Sequence, residues 1–209
     1  MKKSVLLLSA ILFTFSMQGQ IQTPASSPSA HMEQMVGLTD VTIEYSRPSM
    51  KGRTVFGNLV PFGKIWRTGA NANTTISFST DVTVDGQKLN KGTYAIYTKP
   101  EKDSWEVYFY SETDNGGLPQ KWDDSKVVAK ISAKVYPMSM SVESFTISLD
   151  DLTSESAVLG ILWEKTYVGV KFEVPTDATV MNNINQVMGG PTAQDYYAAA
   201  VYYMDSGKD

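Results

Sequence analysis

The chain contains no cysteine. That removes disulfide frameworks, thiol nucleophiles and thiolate metal sites, and with them the cysteine-linked lipid anchor of a lipoprotein. Histidine occurs once, at His31, so a Ser-His-Asp or Cys-His catalytic arrangement would have to be built on that one residue, and clustered zinc ligands are absent. No Walker A or Gly-x-Gly-x-x-Gly phosphate loop is present. No metal and no cofactor is expected. The paired acidic turns Asp123-Asp124 and Asp150-Asp151, and the Asp114-Asn115-Gly116 turn, offer oxygen ligands for calcium but do not fit an EF-hand loop and read as solvated turns.

Arginine is nearly as scarce. The 209 residues hold three, Arg47, Arg53 and Arg67, all within 21 residues, and every other cation is lysine. Long hydrophobic runs are also missing. The one continuous apolar stretch, Val5 to Phe15, is interrupted only by Ser9 and Thr14 and is shorter than the roughly 20 residues a membrane span needs. It follows the basic Met1-Lys2-Lys3 and precedes small and polar residues, the three-part layout of a secretory leader. Residues 1–19 are therefore expected to be a signal peptide that delivers the protein to the periplasm or the exterior, with no membrane span left after cleavage. Removal of Lys2 and Lys3 leaves 16 cations against 22 carboxylates, a net charge of −6. An acidic chain of this kind excludes nucleic acid as a partner, because phosphate binding needs a basic face.

What is present is period-2 alternation. Residues 20–31, rich in Gln, Ser and Pro, are expected to be a flexible tail, with the folded domain running over 32–175. Val41-Ile43-Tyr45, Ile76-Phe78-Val82-Val84, Trp105-Val107-Phe109, Val127 to Val135, Phe145-Ile147-Leu149, Val158 to Trp163 and Val168 to Val174 alternate or run apolar as strands do. Asp85-Gly86 marks a tight hairpin that pairs Val82 with Leu89. About nine short strands without crossover helices predict a mostly β protein, an antiparallel sandwich of jelly-roll type. After Pro175 the period changes. Residues 176–209 are expected to form a helical extension, Asp177 to Met188 and then Ala193 to Met204, the second opened by a Thr192/Asp195 cap. Val180, Ile184 and Val187 on the first helix, and Tyr196, Ala199, Ala200 and Tyr203 on the second, make apolar stripes that need cover, from the sandwich or from a further helix.

One stretch, Ser46 to Asn73, follows neither period. Val55, Phe56, Leu59, Val60, Phe62, Ile65 and Trp66 give it too much apolar surface to stay in water, so it is expected to pack as an ordered, glycine-hinged cover on the sandwich. Its arginines differ from lysine in being flat forks that grip carboxylate or phosphate at two points and stack on rings, and Trp66 and Phe62 could supply such a stacking face. Two readings stand side by side. The forks hold the loop to backbone carbonyls or to a structural carboxylate, Glu44 or Glu164. Alternatively Arg47, Arg53, Trp66 and Arg67, with Asn71, Asn73 and Thr74 entering the next strand, line a ligand site. Glu164, directly after Trp163, is also the carboxylate to watch for hydrolytic chemistry. The aromatic middle, Tyr94, Tyr97, Trp105, Tyr108, Tyr110 and Trp122, is either core or a carbohydrate platform.

The run SRPSMKGRTVFGNLVPFGKIWRTGANANTTISF, followed by VTVDGQKLNKGTYAIYTKP, resembles the bacterial family called domain of unknown function 2911. The likeness covers roughly Met32 to Val174 and is most specific at Tyr45-Ser46-Arg47-Pro48, Lys51-Gly52-Arg53, Phe56-Gly57 and Trp66-Arg67-Thr68-Gly69-Ala70-Asn71. It implies a secreted bacterial protein and brings no activity, so no catalytic role is carried over. Longer relatives continue into tetratricopeptide-like helical repeats, whose first helix AAAVYYMDSGKD resembles. A single such helix cannot stack as a solenoid. The functional expectation is a non-catalytic binding module for a small anionic or sugar ligand at the arginine loop. The alternatives are a carboxylate-based hydrolase and a structural domain that meets a protein partner through its C-terminal helix.

Overall fold

The computed structural model describes residues 23–206, Tyr203 by its backbone alone. The leader expected over residues 1–19 lies outside them. Nine strands follow in chain order: β1 (Ser29–Val36), β2 (Thr39–Ser46), β3 (Thr75–Phe78), β4 (Val82–Val84), β5 (Gln87–Leu89), β6 (Gly92–Pro100), β7 (Ser104–Tyr110), β8 (Val127–Asp150) and β9 (Ser156–Glu173). Two helices close the chain, α1 (Thr176–Met188) and α2 (Ala193–Ser206). The expected mostly β, antiparallel architecture is realised as one nine-stranded sheet in the order β1-β2-β3-β6-β7-β8-β9-β4-β5. The sheet folds over a shared core. Phe78 of β3 meets Phe172 of β9 at 5.4 Å, and the Tyr45 hydroxyl on β2 accepts from Ile147 N of β8 at 3.2 Å, although neither pair of strands is adjacent in the ladder.

The Asp85-Gly86 hairpin forms as its sequence dictates, with Val82 opposite Leu89. Other strands differ from the sequence reading in instructive ways. β1 begins at Ser29, inside the expected tail; it is an edge strand whose inward positions Ala30, Met32 and Gln34 are only half-buried, so its alternation is faint. The two apolar stretches on either side of Pro137 are the ends of the single strand β8, and those on either side of Lys165 are the ends of β9. The register between β8 and β9 slips at Pro137/Val142 and at Val142/Thr146. Such bulges bend a strand and re-aim its side chains, and here they let one strand serve both ends of the folded sheet.

The core runs from Val41 and Ile43 through Ile96, Trp105 and Phe145 to Leu159, Trp163 and Phe172, all fully or nearly fully buried. A second cluster, Ala95, Tyr97, Tyr108 and Tyr110, lies apart from it with Trp122 and Ile65 packed alongside. Side chains of opposite parity on one strand point to opposite faces, so β6 and β7 are covered on both sides. Tyr94, Tyr97, Trp105, Tyr108 and Tyr110 are buried, and the aromatic middle is therefore core and not an open platform. α2 is opened by the expected cap: Thr192 N and Oγ1 donate to Asp195 Oδ2 at 2.8 and 2.6 Å. Neither helix buries a described side chain. Val187 is 77% exposed and Tyr196 64%, so the sheet does not cover these stripes.

Candidate functional site

The segment between β2 and β3 is ordered because its backbone groups are spent on the sheet. Its first turn joins the bulged part of β8: Met50 N donates to Glu143 O and Phe145 N to Pro48 O, both at 2.9 Å, and Ser49 bridges Ser144. Val55 and Val60 are buried, and Val60 N closes back on Val55 O at 2.9 Å. Further on, the pairing of β3 with β6 stops at Ala95, and Trp66 takes over as the neighbour of β6, exchanging bonds of 2.7 and 3.0 Å with Thr98. Directly after Arg67 the backbone is strained. Buried Thr68 sits at φ +54°, a region that disfavours β-branched residues. It is held there by its hydroxyl on Thr98 Oγ1 at 3.1 Å and by Thr74 Oγ1, which donates to its carbonyl at 2.6 Å. Gly69 follows at φ +149°, where a Cβ would stand 2.9 Å from Thr74 Oγ1; only glycine fits that turn.

The floor beneath the loop is aromatic. Trp66 stacks on Trp163 with centroids 5.9 Å apart and planes 19° apart, and Phe145 meets Trp66 edge-on at 5.2 Å. Both indole N–H groups are used internally, Trp66 Nε1 on Gly69 O and Trp163 Nε1 on Glu143 O, each at 3.1 Å. The rings therefore offer apolar surface alone, most of it from half-buried Trp66, since Trp163 is 2% exposed. Above them lies an open cleft of about 360 Å³, lined by Lys51, Arg53 and Arg67, by Trp66 and Trp163, and by Leu59 and smaller neighbours. None of its lining residues is acidic.

The three arginines have different fates. Arg47 lies away from the cleft and forks onto β8, its Nε on Phe145 O at 3.0 Å and its Nη2 on Thr146 Oγ1 at 2.7 Å. Arg53 grips its own turn through Met50 O at 2.8 Å and Ser49 O at 2.7 Å, and the residue lines the cleft. Arg67 is half-buried and donates no hydrogen bond to any described residue, and its Nε is buried without a partner. No arginine is in an ion pair among the described residues; those pairs are made by lysines and by His31. Glu44 faces His31 at 3.3 Å, and Glu164 accepts from Phe56 N at 3.5 Å, so neither is an arginine partner. The expected stacking of arginine on Trp66 or Phe62 is also replaced. The cation–π contacts among the described residues are Lys130 over Tyr108 at 5.7 Å and Lys134 over Tyr136 at 5.5 Å.

A family model described as "Protein of unknown function (DUF2911)" matches residues 27–172. The chain belongs to the DUF2911 family. The match takes in the arginine loop and every strand, and it stops ahead of the helices. Neither the comparison with curated proteins nor that with solved structures gave a match.

Within this DUF2911 fold the remaining predicted residues do not meet at the cleft. Asn71, at φ +59°, donates to Ser27 O at 3.2 Å and Ser46 Oγ at 3.3 Å. Thr74 is buried beneath Thr68. Buried Asn73 joins a polar knot, its Nδ2 on Tyr97 Oη at 2.7 Å and its Oδ1 accepting from Gly117 N at 2.8 Å. Tyr97 Oη in turn reaches Gly117 O at 2.8 Å, and burial pushes that phenol up from its ordinary range. Glu164 sits at φ +56° where the β8 and β9 register slips. The structure thus brings together Arg53, Trp66 and Arg67, and adds three residues that sequence reasoning left out of the site: Lys51, Leu59 and Trp163. It also adds Gly117, which packs on the Arg67 stem so closely that a Cβ there would stand 3.2 Å from Arg67 Cδ. Lys51 and Leu59 were legible as loop neighbours of the arginines. Trp163 and Gly117 carry no local signal, being about 96 and 50 positions away from Arg67 in the chain and brought near only by the fold.

Proposed function

We propose that this protein is an exported, non-catalytic binding module for a small anionic ligand, held in the cleft by Arg67 with Arg53 and Lys51. The observation that carries this reading is Arg67, a half-buried residue lining a cleft that has three cations and no carboxylate, whose guanidinium finds no acceptor among the described residues and whose Nε is buried without a partner. Desolvating a donor and leaving it unpaired costs about 1–3 kcal/mol. A fold that tolerates this beside a strained residue has the signature of a site kept for a ligand. A guanidinium fork matches the two oxygens of a carboxylate or phosphate edge, and aromatic walls lower the local dielectric, which strengthens the attraction. Export rests on the three-part layout of residues 1–19.

The test is thermal melting of the mature protein against a panel of small carboxylates, phosphates and sulfates at matched ionic strength. At least one of them raises the midpoint in the wild type, and Arg67→Ala abolishes the rise. A panel without effect, or an effect that survives Arg67→Ala, contradicts the proposal.

A further inference from the structure

Resting on the reading of the cleft as an anion site, we infer that its ligand is an amphipathic monocarboxylate: one carboxylate on the Arg67 fork and a flat or branched apolar body against Trp66 and Leu59. Three observations point there. Both tryptophan N–H groups are already bonded to Gly69 O and Glu143 O, so the aromatic part of the wall offers a ligand no polar partner; the neutral hydroxyls among the lining residues are those of Ser26, Ser27 and Ser49. A sugar laid on that aromatic part would lose hydrogen bonds there. An apolar body loses none and gains from leaving water.

The head group is narrowed by the turn that carries Lys51 and Arg53. Sites for multiply charged phosphates assemble several backbone N–H groups around one concavity. In this turn three of them are engaged: Met50 N on Glu143 O, Lys51 N on Glu143 Oε1 and Arg53 N on Met50 O, at 2.9, 2.9 and 3.1 Å. Two of the Arg53 donors are likewise fixed on backbone carbonyls. The charged donors at the cleft are Arg67, Arg53 and the Lys51 ammonium. The Glu143 carboxylate behind the turn repels a second negative charge. A single carboxylate matches this supply, and its planar edge fits one guanidinium.

The experiment is a titration series by calorimetry and tryptophan fluorescence, with acetate, hexanoate, 3-phenylpropionate, the neutral 3-phenylpropanol, and inorganic phosphate. The expected order is 3-phenylpropionate tightest, with Kd lower than that of acetate by about tenfold or more, phosphate without saturable binding, and 3-phenylpropanol weakened at least as strongly as acetate. Leu59 is 39% exposed, so Leu59→Ser leaves the fold intact; it weakens 3-phenylpropionate while acetate is unchanged. Phosphate or acetate binding as tightly as 3-phenylpropionate, with Arg67 dependence retained, overturns the amphipathic ligand and keeps the anion site. Equal binding of the neutral alcohol overturns the carboxylate head. Silence across the whole series overturns both.

Discussion

Replacing Arg67 by methionine, beside the same change at Arg47, separates a residue kept for a ligand from one kept for the fold. Arg47 donates two charge-assisted bonds to β8, at 3.0 and 2.7 Å. Bonds of that kind contribute about 1.5–3 kcal/mol each when sheltered; with the partial exposure of this side chain, Arg47→Met is expected to lose about 2–4 kcal/mol. In a domain of this size that lowers the melting midpoint by roughly 5–15 °C. Arg67 has no such bonds, and its Nε is buried and unpaired. Methionine retains most of the stem that packs under Gly117 and removes a donor whose desolvation costs about 1–3 kcal/mol. Arg67→Met is therefore expected to leave the midpoint unchanged or raise it by up to about 5 °C. Calorimetry together with urea unfolding followed by tryptophan fluorescence measures both, and an unchanged urea dependence certifies that the same surface unfolds. A loss in Arg67→Met equal to that in Arg47→Met would show that Arg67 holds the structure, and the case for a site would fall.

Other perturbations test the surrounding account. Glu106 is held at about 2, below the ordinary 4.5, first by its bond with Lys130 and then by the Tyr108 hydroxyl. A folded value below the unfolded one means that this carboxylate stabilises the fold above about pH 4.5 and loses that contribution as pH falls toward about 2. Glu106→Gln should flatten the acid limb of a stability-against-pH curve in that window, and an unaltered limb would contradict the network. Gly117→Ala places a Cβ 2.8 Å from Asn71 O at φ +118°; it should destabilise by about 2 kcal/mol and weaken ligand binding by displacing Arg67, both read in the melting assay. Removing residues 190–209 should leave the unfolding midpoint of the sheet unchanged, because α2 buries no described side chain. A fall in that midpoint would mean that the helix contributes to the domain, and a change in particle mass by light scattering would mean that it joins protein partners.

The parts legible in the sequence are those decided locally. The Asp85-Gly86 turn fixes the Val82–Leu89 register, the Thr192/Asp195 pair opens α2, and the apolar residues of the arginine loop announce an ordered cover, which Val55 and Val60 anchor. What escaped was decided across the chain. β1 is an edge strand, so one face never acquired a strong apolar pattern. The continuity of β8 through Pro137 depends on its slipped pairing with β9, and a bulge looks like a strand end when only period is read. Clustering of arginine pointed to the loop that lines the cleft but could not sort its members. Arg47 and Arg53 found carbonyls, and Arg67 did not, because of where β8 and residues 115–117 happen to pass. Glu164 was legible as unusual by its place after a buried tryptophan, yet its carboxylate meets Phe56 N and it does not line the cleft.

The most direct measurement uses the scarcity of arginine itself. A chain with three arginines gives three Nε–Hε signals in a nitrogen-15 correlation spectrum, assignable by the single Arg→Met variants. Titrating the anion that raises the melting midpoint most is expected to shift the Arg67 Nε–Hε signal progressively while that of Arg47, bonded to Phe145 O, stays in place. An Arg67 signal that does not move at saturation, or an Arg47 signal that moves in its stead, would contradict an unpaired guanidinium as the ligand contact.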